Sequence, residues 1–426
     1  MTYDVVIVGG GPAGLSAAQV VARNGLCTLL VDRRTLPSDE PSGEGLFPAA
    51  VTRLARLGIC RSDLLRFGRT FDGVRYVCER CESVEARLAE GPGIALSRWQ
   101  LSALLLSRAR RQPLLHVREG VPARIERSRD GRITVIVGGA TLAPLLVIDA
   151  EGRPPGSRRP APRDGARTEA RLGARQQFAA RQFAERFEVH VRDGAQAYVV
   201  PLADDRAEIA CVWDSARFGT SGSFDLGELL KGFPALASRI ARARPLGPVC
   251  SAQPLHPTTG PVMRAGLLEL DASRTLDPFT GESVSAALAQ ALLLEATLVP
   301  ELLALRAGRQ LRRSHMDAYA RAVHRMERSR RGFARALAHL SRFPGARRRL
   351  FAALARDPLL FQKLLSVHQS ALSPIELPVR SLVSVLLEMA KLGGTGTEGP
   401  VARPFAASDL SFPSRGGREL EHVSRA

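Results

Sequence analysis

Residues Tyr3 to Val8 read YDVVIV, and they lead into Gly9 to Gly14, which read GGGPAG. A continuous apolar run of this kind is typical of a strand that is buried on both faces. The next stretch, Leu15 to Asn24, has a helical pattern, and Cys27 to Val31 forms a second apolar run that closes on Asp32. The sequence therefore predicts a strand, a glycine turn, a helix and a second strand.

The glycines at 9, 11 and 14 have the G-x-G-x-x-G spacing of a dinucleotide-binding turn, in the strand–turn–helix context that this turn requires. Gly9 permits the tight turn, Gly11 lets the backbone approach a pyrophosphate, and Gly14 allows close packing of helix on strand. The pyrophosphate would lie at the N-terminus of the helix, which favours negative charge. Asp32 comes about 20 residues later, where a carboxylate accepts hydrogen bonds from ribose hydroxyls.

The same spacing occurs again at residues 394–399, but there it follows the helix-like segment Ser381 to Leu392 and is followed by prolines. Without a preceding strand this second match indicates a flexible linker. We therefore expect one dinucleotide-binding unit in the chain.

Composition excludes several classes of protein. With 426 residues, 45% of them hydrophobic, the chain is neither disordered nor collagen-like. The net charge of +18 comes almost entirely from arginine, and alone it is poor evidence for a nucleic-acid partner. Cys78 and Cys81 form a single C-x-x-C without a second pair, so no metal site is expected. The chain opens directly on a strand, and no run of about 18 apolar residues occurs, so we expect a cytoplasmic protein without a transmembrane segment.

Three further segments follow the glycine turn in order. Ser42 to Pro48 read SGEGLFP, Leu96 to Arg98 read LSR before a helical stretch, and Leu276 to Ser283 read LDPFTGES before a long helix. Together with the N-terminus they resemble the FAD-dependent monooxygenases of the para-hydroxybenzoate hydroxylase type, and the related geranylgeranyl reductases and flavin-dependent halogenases. The resemblance runs intermittently over residues 3 to about 300.

The resemblance implies that FAD is the dinucleotide. It implies that Arg98 pairs with the phosphates, that Val121 lies beside the adenine, that Asp271 binds the ribityl hydroxyls, and that the helix starting at Ser283 lies under the pyrimidine edge of the flavin. Glu151 stands where the family has aspartate. The residues implied to bind FAD are Gly9, Gly11, Pro12, Ala13, Gly14, Asp32, Arg33, Glu44, Arg98, Val121, Asp271, Pro278, Gly281, Glu282 and Ser283.

The implied fold class is α/β, with a Rossmann-type FAD-binding domain that is discontinuous in sequence, an inserted β-sheet substrate domain and a C-terminal helical region. The expected boundaries are residues 1–75, 98–152 and 263–308 for the FAD-binding domain, 76–97 and 153–262 for the substrate domain, 309–393 for the helical region and 394–426 for a flexible tail. In the family the inserted sheet forms a wall of the substrate pocket that faces the flavin. Its polar candidates here are His190, Tyr198 and Arg175.

The helical region is strongly basic. Residues 306–356 hold fifteen arginines and two acids, opposite an apolar stripe that begins at Met316, Tyr319 and Val323. A solvated basic face explains this pattern, and so does a surface that attracts anionic lipid or an acidic carrier protein.

The implied activity is that of a monooxygenase. Reduced FAD reacts with O2 to give a flavin hydroperoxide, which transfers one oxygen atom to a small aromatic, polyketide-like or lipophilic substrate, and NAD(P)H serves as the transient reductant. A reductase of carbon–carbon double bonds is the alternative, partly supported by Tyr198 to Pro201, which read YVVP. A halogenase would need a lysine beside the flavin, and the first lysine is Lys231. A non-catalytic protein that binds anionic surfaces would leave the glycine turn unexplained.

Overall fold

A computed structural model describes most of the chain. It covers residues 2–39, 45–79, 82–128, 132–152, 171–179, 186–202, 205–219, 225–251, 263–264, 266–270, 283–306, 311, 314–326, 343–369, 377 and 380. The predicted FAD contacts Glu44, Asp271, Pro278, Gly281 and Glu282, and the second glycine pattern at 394–399, lie outside the described residues.

The described residues form strands and helices as follows. The strands are β1 Val5–Val8, β2 Thr28–Val31, β3 Gly45–Leu46, β4 Arg69–Phe71, β5 Gly73–Cys78, β6 Ser83–Arg87, β7 Gly93–Ala95, β8 Leu115–Arg118, β9 Ala123–Arg127, β10 Ile133–Val137, β11 Ala140–Leu142, β12 Leu146–Asp149, β13 Arg171–Ala179, β14 Phe187–Arg192, β15 Ala195–Pro201, β16 Arg206–Asp214, β17 Arg244–Ser251, β18 Met263–Arg264 and β19 Leu267–Glu269. The helices are α1 Pro12–Arg23, α2 Pro48–Arg56, α3 Arg61–Leu65, α4 Arg98–Ala109, α5 Ser215–Phe218, α6 Leu226–Lys231, α7 Pro234–Ile240, α8 Ser283–Thr297, α9 Val299–Leu305, α10 at 314–326, α11 Pro344–Arg356 and α12 Pro358–His368.

A six-stranded sheet lies at the centre of the nucleotide-binding region, in the order β18-β19-β12-β1-β2-β8. All its pairings are parallel except β18 with β19. The middle strands are buried and apolar because both faces of the sheet are covered. Helices α1, α4 and α8 pack on the face that carries Val5 and Ile7. The three-stranded sheet β9-β10-β11 packs on the face that carries Val6 and Val8.

The second large sheet has seven strands, in the order β17-β13-β16-β15-β14-β5-β6, and is antiparallel except where β14 meets β5. Both of its faces are covered, which explains its long buried strands. Helices α6 and α7 pack on one face, together with Ala197 and Trp213. Helices α11 and α12 pack on the other, together with Phe187 and Tyr198.

The predicted fold class is confirmed: the chain is α/β, with a parallel Rossmann-type sheet, an additional sheet and C-terminal helices. The stretches 187–191, 196–200 and 207–213, which are rich in β-branched and aromatic residues, lie in β14, β15 and β16. Met316, Tyr319 and Val323 are buried along α10, as their spacing indicates. The seven-stranded sheet takes its strands from two separate stretches, 73–87 and 171–251, and the exact domain boundaries stay a prediction.

Within the described part of the chain no single helix has the length and apolar character needed to cross a bilayer. Helices α8 and α9 reach that length and composition only as a pair, which is bent by 44° at the junction.

Candidate functional site: the glycine turn and the start of α8

Two of the three patterned glycines are required by contacts within the protein. Gly9 has a φ of +110°, a backbone angle that residues with a side chain rarely adopt. A Cβ there would lie 2.4 Å from the carbonyl oxygen of Ala150. A Cβ on Gly14 would lie 1.9 Å from the carbonyl oxygen of Gly9. The first approach holds the turn against the end of β12, and the second brings the start of α1 onto the end of β1.

Gly11 is different, because a Cβ built on it would meet no atom within 4 Å. It is the N-cap residue of α1, and no side chain caps this helix end. The first N–H groups of a helix lack intrahelical acceptors and attract anions. An open, uncapped helix end beside a residue without a side chain is the environment that a pyrophosphate needs, so the turn fits the phosphate part of FAD.

Asp32 lies at the carboxyl end of β2 and is 4% exposed. Its Oδ2 accepts a hydrogen bond from the N–H of Gly10 at 2.6 Å, and its Oδ1 accepts one from the N–H of Arg34 at 2.8 Å. A carboxylate can accept about four hydrogen bonds, so Asp32 stabilises the glycine turn and retains acceptor capacity for a ribose. The N–H of Val121 donates to the carbonyl oxygen of Asp32 at 3.0 Å, so both predicted adenosine contacts lie at the same sheet edge.

A cluster of carboxylates surrounds this edge. Glu151 follows β12, and its backbone N–H donates to Oδ1 of Asp149 at 3.2 Å. Desolvation, and then the charges of Asp149 and Asp32, raise the pKa of Glu151, while Arg33 and Arg34 oppose the shift. The predicted residue Arg33 is exposed at this edge. The positive charge of Arg33 therefore offsets the negative charges of Asp32, Asp149 and Glu151. It does so whether or not a phosphate is bound.

Helix α8 begins beside the glycine turn. Ala13, in the first turn of α1, packs against Ala286 and Ala287, in the first turn of α8. On its other side, α8 meets α2, where Nη1 of Arg53 donates to Oγ of Ser285 at 2.6 Å. Ser283 is the first residue of α8. The two helix N-termini that were predicted to bind the pyrophosphate and the flavin ring of FAD therefore lie next to each other, although about 270 residues separate them in sequence.

Arg98 occupies the first position of α4 and is 8% exposed. Ser97 and Gln100 form a capping box there: the N–H of Gln100 donates to Oγ of Ser97, and the N–H of Ser97 donates to Oε1 of Gln100, both at 3.2 Å. The cap fixes the start of α4, and with it the position of Arg98.

A cavity of about 190 Å³ opens between this end of α4 and the seven-stranded sheet. It is lined by Asp39, Phe67, Ser97, Trp99, Gln100, Gln177, Leu202 and Arg206. Beside it, buried Arg175 donates from Nη1 to Glu208 at 2.8 Å and from Nη2 to Asp39 at 2.6 Å. This ion-pair network ties the loop after β2 to the sheet.

The structure brings two of the three substrate candidates, Tyr198 and Arg175, to one sheet face and places His190 on the other. Tyr198 lies on the sheet face that also carries Phe187, and its hydroxyl donates to Oε1 of Gln196 at 2.6 Å. Tyr198 is paired with Ala210, which is paired with Arg175, so these residues form one row across that face. His190 lies on the opposite face, where its ring contacts Phe233 beside α7.

His190 belongs to a buried ionic cluster. Its Nε2 is 2.9 Å from Oε2 of Glu188, which also accepts a hydrogen bond from Nη1 of Arg239 at 2.7 Å. Burial opposes ionisation of Glu188, but the hydrogen bonds from His190 and Arg239 outweigh it and lower the pKa of this carboxyl to about 2. This arrangement gives His190 a structural partner on the far side of the sheet.

Glu188→Gln is expected to lower the free energy of unfolding by roughly 3 kcal/mol at neutral pH. The reason is that the lowered pKa of Glu188 measures how much its partners stabilise the ionised carboxylate in the folded protein. A carboxyl whose pKa is lower in the folded state stabilises above its unfolded value of 4.5 and loses that contribution as the pH falls towards 2. The difference between wild type and variant, measured by urea unfolding, should therefore be constant above about pH 5.5 and shrink below it. Glu228→Gln, an exposed surface change, is the control and should leave stability unchanged. A difference that persists undiminished at pH 3 would contradict this account.

Arg53, Asp39 and Glu208 also belong to this region, although no sequence pattern indicates them. Arg53 and Ser285 are 232 residues apart, and Asp39 and Arg175 are 136 apart. No local pattern reveals such pairs, because each partner is an ordinary polar residue in its own segment.

Comparison with known proteins agrees with a nucleotide-binding turn at the N-terminus. Residues 2–185 match the model of the FAD binding domain family. The chain is 52% identical over 56 residues to a menaquinone reductase of Mycobacterium tuberculosis, a stretch that covers 13% of this chain and 14% of that protein. It is 31% identical over 145 residues to a 3-(3-hydroxy-phenyl)propionate/3-hydroxycinnamic acid hydroxylase of Mycobacterium sp., which covers 32% of this chain and 25% of the hydroxylase.

Among solved structures, the flavin-dependent brominase Bmp2 superposes with a TM-score of 0.72 at 13% identity, over 92% of this chain and 99% of the brominase. At this identity the likeness concerns the fold. The matched sequence relatives share only a small part of their length with this chain. Residues 2–185 thus match an FAD binding domain, with FAD as the cofactor. The fold and the glycine turn agree with the predicted resemblance to FAD-dependent monooxygenases.

Proposed function

We propose that the chain is an FAD-dependent oxidoreductase that acts as an NAD(P)H-consuming monooxygenase on a small aromatic, polyketide-like or lipophilic substrate. The observation that carries the proposal is the contact of Ala13 with Ala286 and Ala287. It joins a pyrophosphate site at α1 to a second helix N-terminus at α8. One extended FAD molecule needs both sites close together.

Each part of the site has a role in this proposal. The turn at Gly11 binds the pyrophosphate, with Arg98 as a cationic partner, and Asp32 with Val121 holds the adenosine end. With FAD bound, the N-terminus of α8 would favour negative charge on the flavin ring, because the helix dipole is positive there. Bound FAD would supply the transfer of electrons from NAD(P)H and the activation of O2.

The sheet face that carries Tyr198 is proposed to border the substrate. Its row of Tyr198, Ala210 and Arg175 leads towards the cavity at Gln177 and Arg206. Apolar side chains of the same face, among them Phe187 and Val200, exclude water from this side of the sheet. Exclusion of water is what oxygen insertion requires of the protein.

A reductase of carbon–carbon double bonds is the second candidate. It is favoured by the 52% identity with a menaquinone reductase over 56 residues. The monooxygenase is favoured by the hydroxylase match, which is less identical but extends over 145 residues.

Oxygen consumption decides between the two. Purified protein reconstituted with FAD should show the absorption bands of bound flavin, and NAD(P)H with substrate should consume one O2 for each hydroxylated product. Turnover under anaerobic conditions that yields a saturated product would contradict the monooxygenase and establish the reductase. A colourless protein that takes up no FAD would contradict both.

A further inference from the structure

The outward side of α11 carries arginines and small residues without a single acid. We define the α11 outer face as Gly345, Arg348, Arg349, Ala352, Ala355 and Arg356. At 3.6 residues per turn these positions fall within about a third of the helix circumference. Arg348 and Arg349 are partly exposed, and Arg356 is exposed. The face therefore presents three positive charges in one stripe.

The opposite side of α11 fixes this orientation. Phe351 and Leu354 are buried against the seven-stranded sheet. Arg347, 2% exposed, donates from Nε to Oε2 of Glu79 at 3.0 Å and from Nη2 to Oε1 of the same residue. A two-pronged bond between a guanidinium and a carboxylate sets both distance and angle. Helix α11 thus cannot roll its outer face inwards without breaking a buried ion pair.

Large apolar side chains are exposed at both ends of the helix. Phe343, directly before α11, is 52% exposed, and Leu359, in the first turn of the following helix α12, is 70% exposed. A helix of 13 residues is about 20 Å long. Single exposed apolar residues are common on protein surfaces. Two of them before and after a stripe of arginines are typical of a helix that lies in the interface between a membrane and water.

We propose that the α11 outer face docks on an anionic lipid surface. The arginines would pair with lipid phosphates, and Phe343 and Leu359 would enter the boundary between headgroups and acyl chains. Lys363 on α12 is exposed and adds to the charge, whereas Asp357, the only acid between them, caps α12 through the N–H of Leu360 at 3.0 Å. The proposal stands independently of the reaction that the flavin site carries out.

A membrane fits this surface better than an acidic protein. The charged stripe carries no acid, and the exposed apolar residues Phe343 and Leu359 precede and follow the helix in sequence. Insertion of separated side chains into a deformable interface suits that spacing, whereas a protein partner would need a matching pocket for each.

Sedimentation of the full-length protein with lipid vesicles tests the proposal. Wild type should bind phosphatidylcholine vesicles that contain phosphatidylglycerol and should not bind phosphatidylcholine alone. The combined change Arg348→Gln, Arg349→Gln and Arg356→Gln should weaken binding about a hundred-fold. Leu359→Ser should weaken it about ten-fold. Unchanged thermal unfolding of each variant shows that folding is intact.

Two matched controls separate a local surface from overall charge. Arg124→Gln, Arg127→Gln and Arg132→Gln remove the same charge from the three-stranded sheet, and Leu303→Ser removes a leucine of α9 that is 41% exposed. Both should alter binding less than two-fold. Equal loss in the two arginine triples would overturn the proposal. So would equal binding to both kinds of vesicle, absence of vesicle binding, or binding to polyglutamate in place of vesicles, which would assign the face to an acidic protein.

Discussion

Gly14→Ala is expected to destabilise the protein by about 3 kcal/mol or more. The new methyl group would lie 1.9 Å from the carbonyl oxygen of Gly9. That oxygen cannot yield easily, because the backbone at Gly9 already approaches Ala150 closely and has a φ of +110°. Helix α1 would have to move away from β1 while remaining packed on α8. Urea unfolding of the FAD-free protein measures the loss.

The control for this prediction is a glycine in a helix with open space around it. Gly345 lies in the first turn of α11, and a Cβ there would meet nothing within 4 Å. Gly345→Ala should stabilise the protein by up to about 1 kcal/mol, since alanine has the higher helix propensity. Wild-type stability in Gly14→Ala would show that the contact between α1 and β1 is looser than the structure has it.

Gly11→Val should lower the affinity for FAD about a hundred-fold. Because glycine is preferred over valine at a helix N-cap, the FAD-free protein should lose only about 1 kcal/mol of stability. The valine side chain meets no protein atom near its Cβ, and the backbone at Gly11, with φ −71° and ψ 179°, is one that valine adopts readily. It fills the space through which the pyrophosphate would approach the end of α1. Titration of FAD fluorescence against protein gives the affinity.

A graded series sharpens this second prediction. Gly11→Ala adds a smaller group and should lower FAD affinity less than Gly11→Val does. Without FAD, both variants should show the same small loss of stability, about 1 kcal/mol, because alanine and valine are similarly poor N-cap residues. Wild-type FAD affinity in Gly11→Val would show that the pyrophosphate does not bind at this turn. It would thereby contradict the proposed placement of the cofactor.

The N-terminal part of the site follows from sequence because its determinants are local. An apolar run, a glycine spacing and a terminal acid lie within the first 32 residues, and each acts on its immediate neighbours. The spacing assigned Gly9 to the turn and Gly14 to helix packing, and the close approaches at these two positions give the physical reason. The role of Asp32 was only partly foreseen, because its bond to Gly10 depends on how the turn folds back.

The sheet face on which each candidate substrate residue lies could not be derived from the sequence in the same way. A strand buried on one face shows alternation of apolar and polar residues, but β14 and β15 are buried on both faces, so their sequences carry no such signal. Which face a residue occupies then depends on strand register. Because β14 and β15 pair with His190 opposite Ala197, Tyr198 falls opposite Val189 and points to the other face.

The contact between the first turns of α1 and α8 also constrains how the protein acquires its cofactor during synthesis. The glycine turn leaves the ribosome early, but α8 is translated about 270 residues later. Until then a nascent chain offers a nucleotide only half of its binding surface. With FAD placed as proposed, stable loading would wait until the chain past Thr297 has emerged and docked. Translation products that end before α8 should therefore fail to retain FAD.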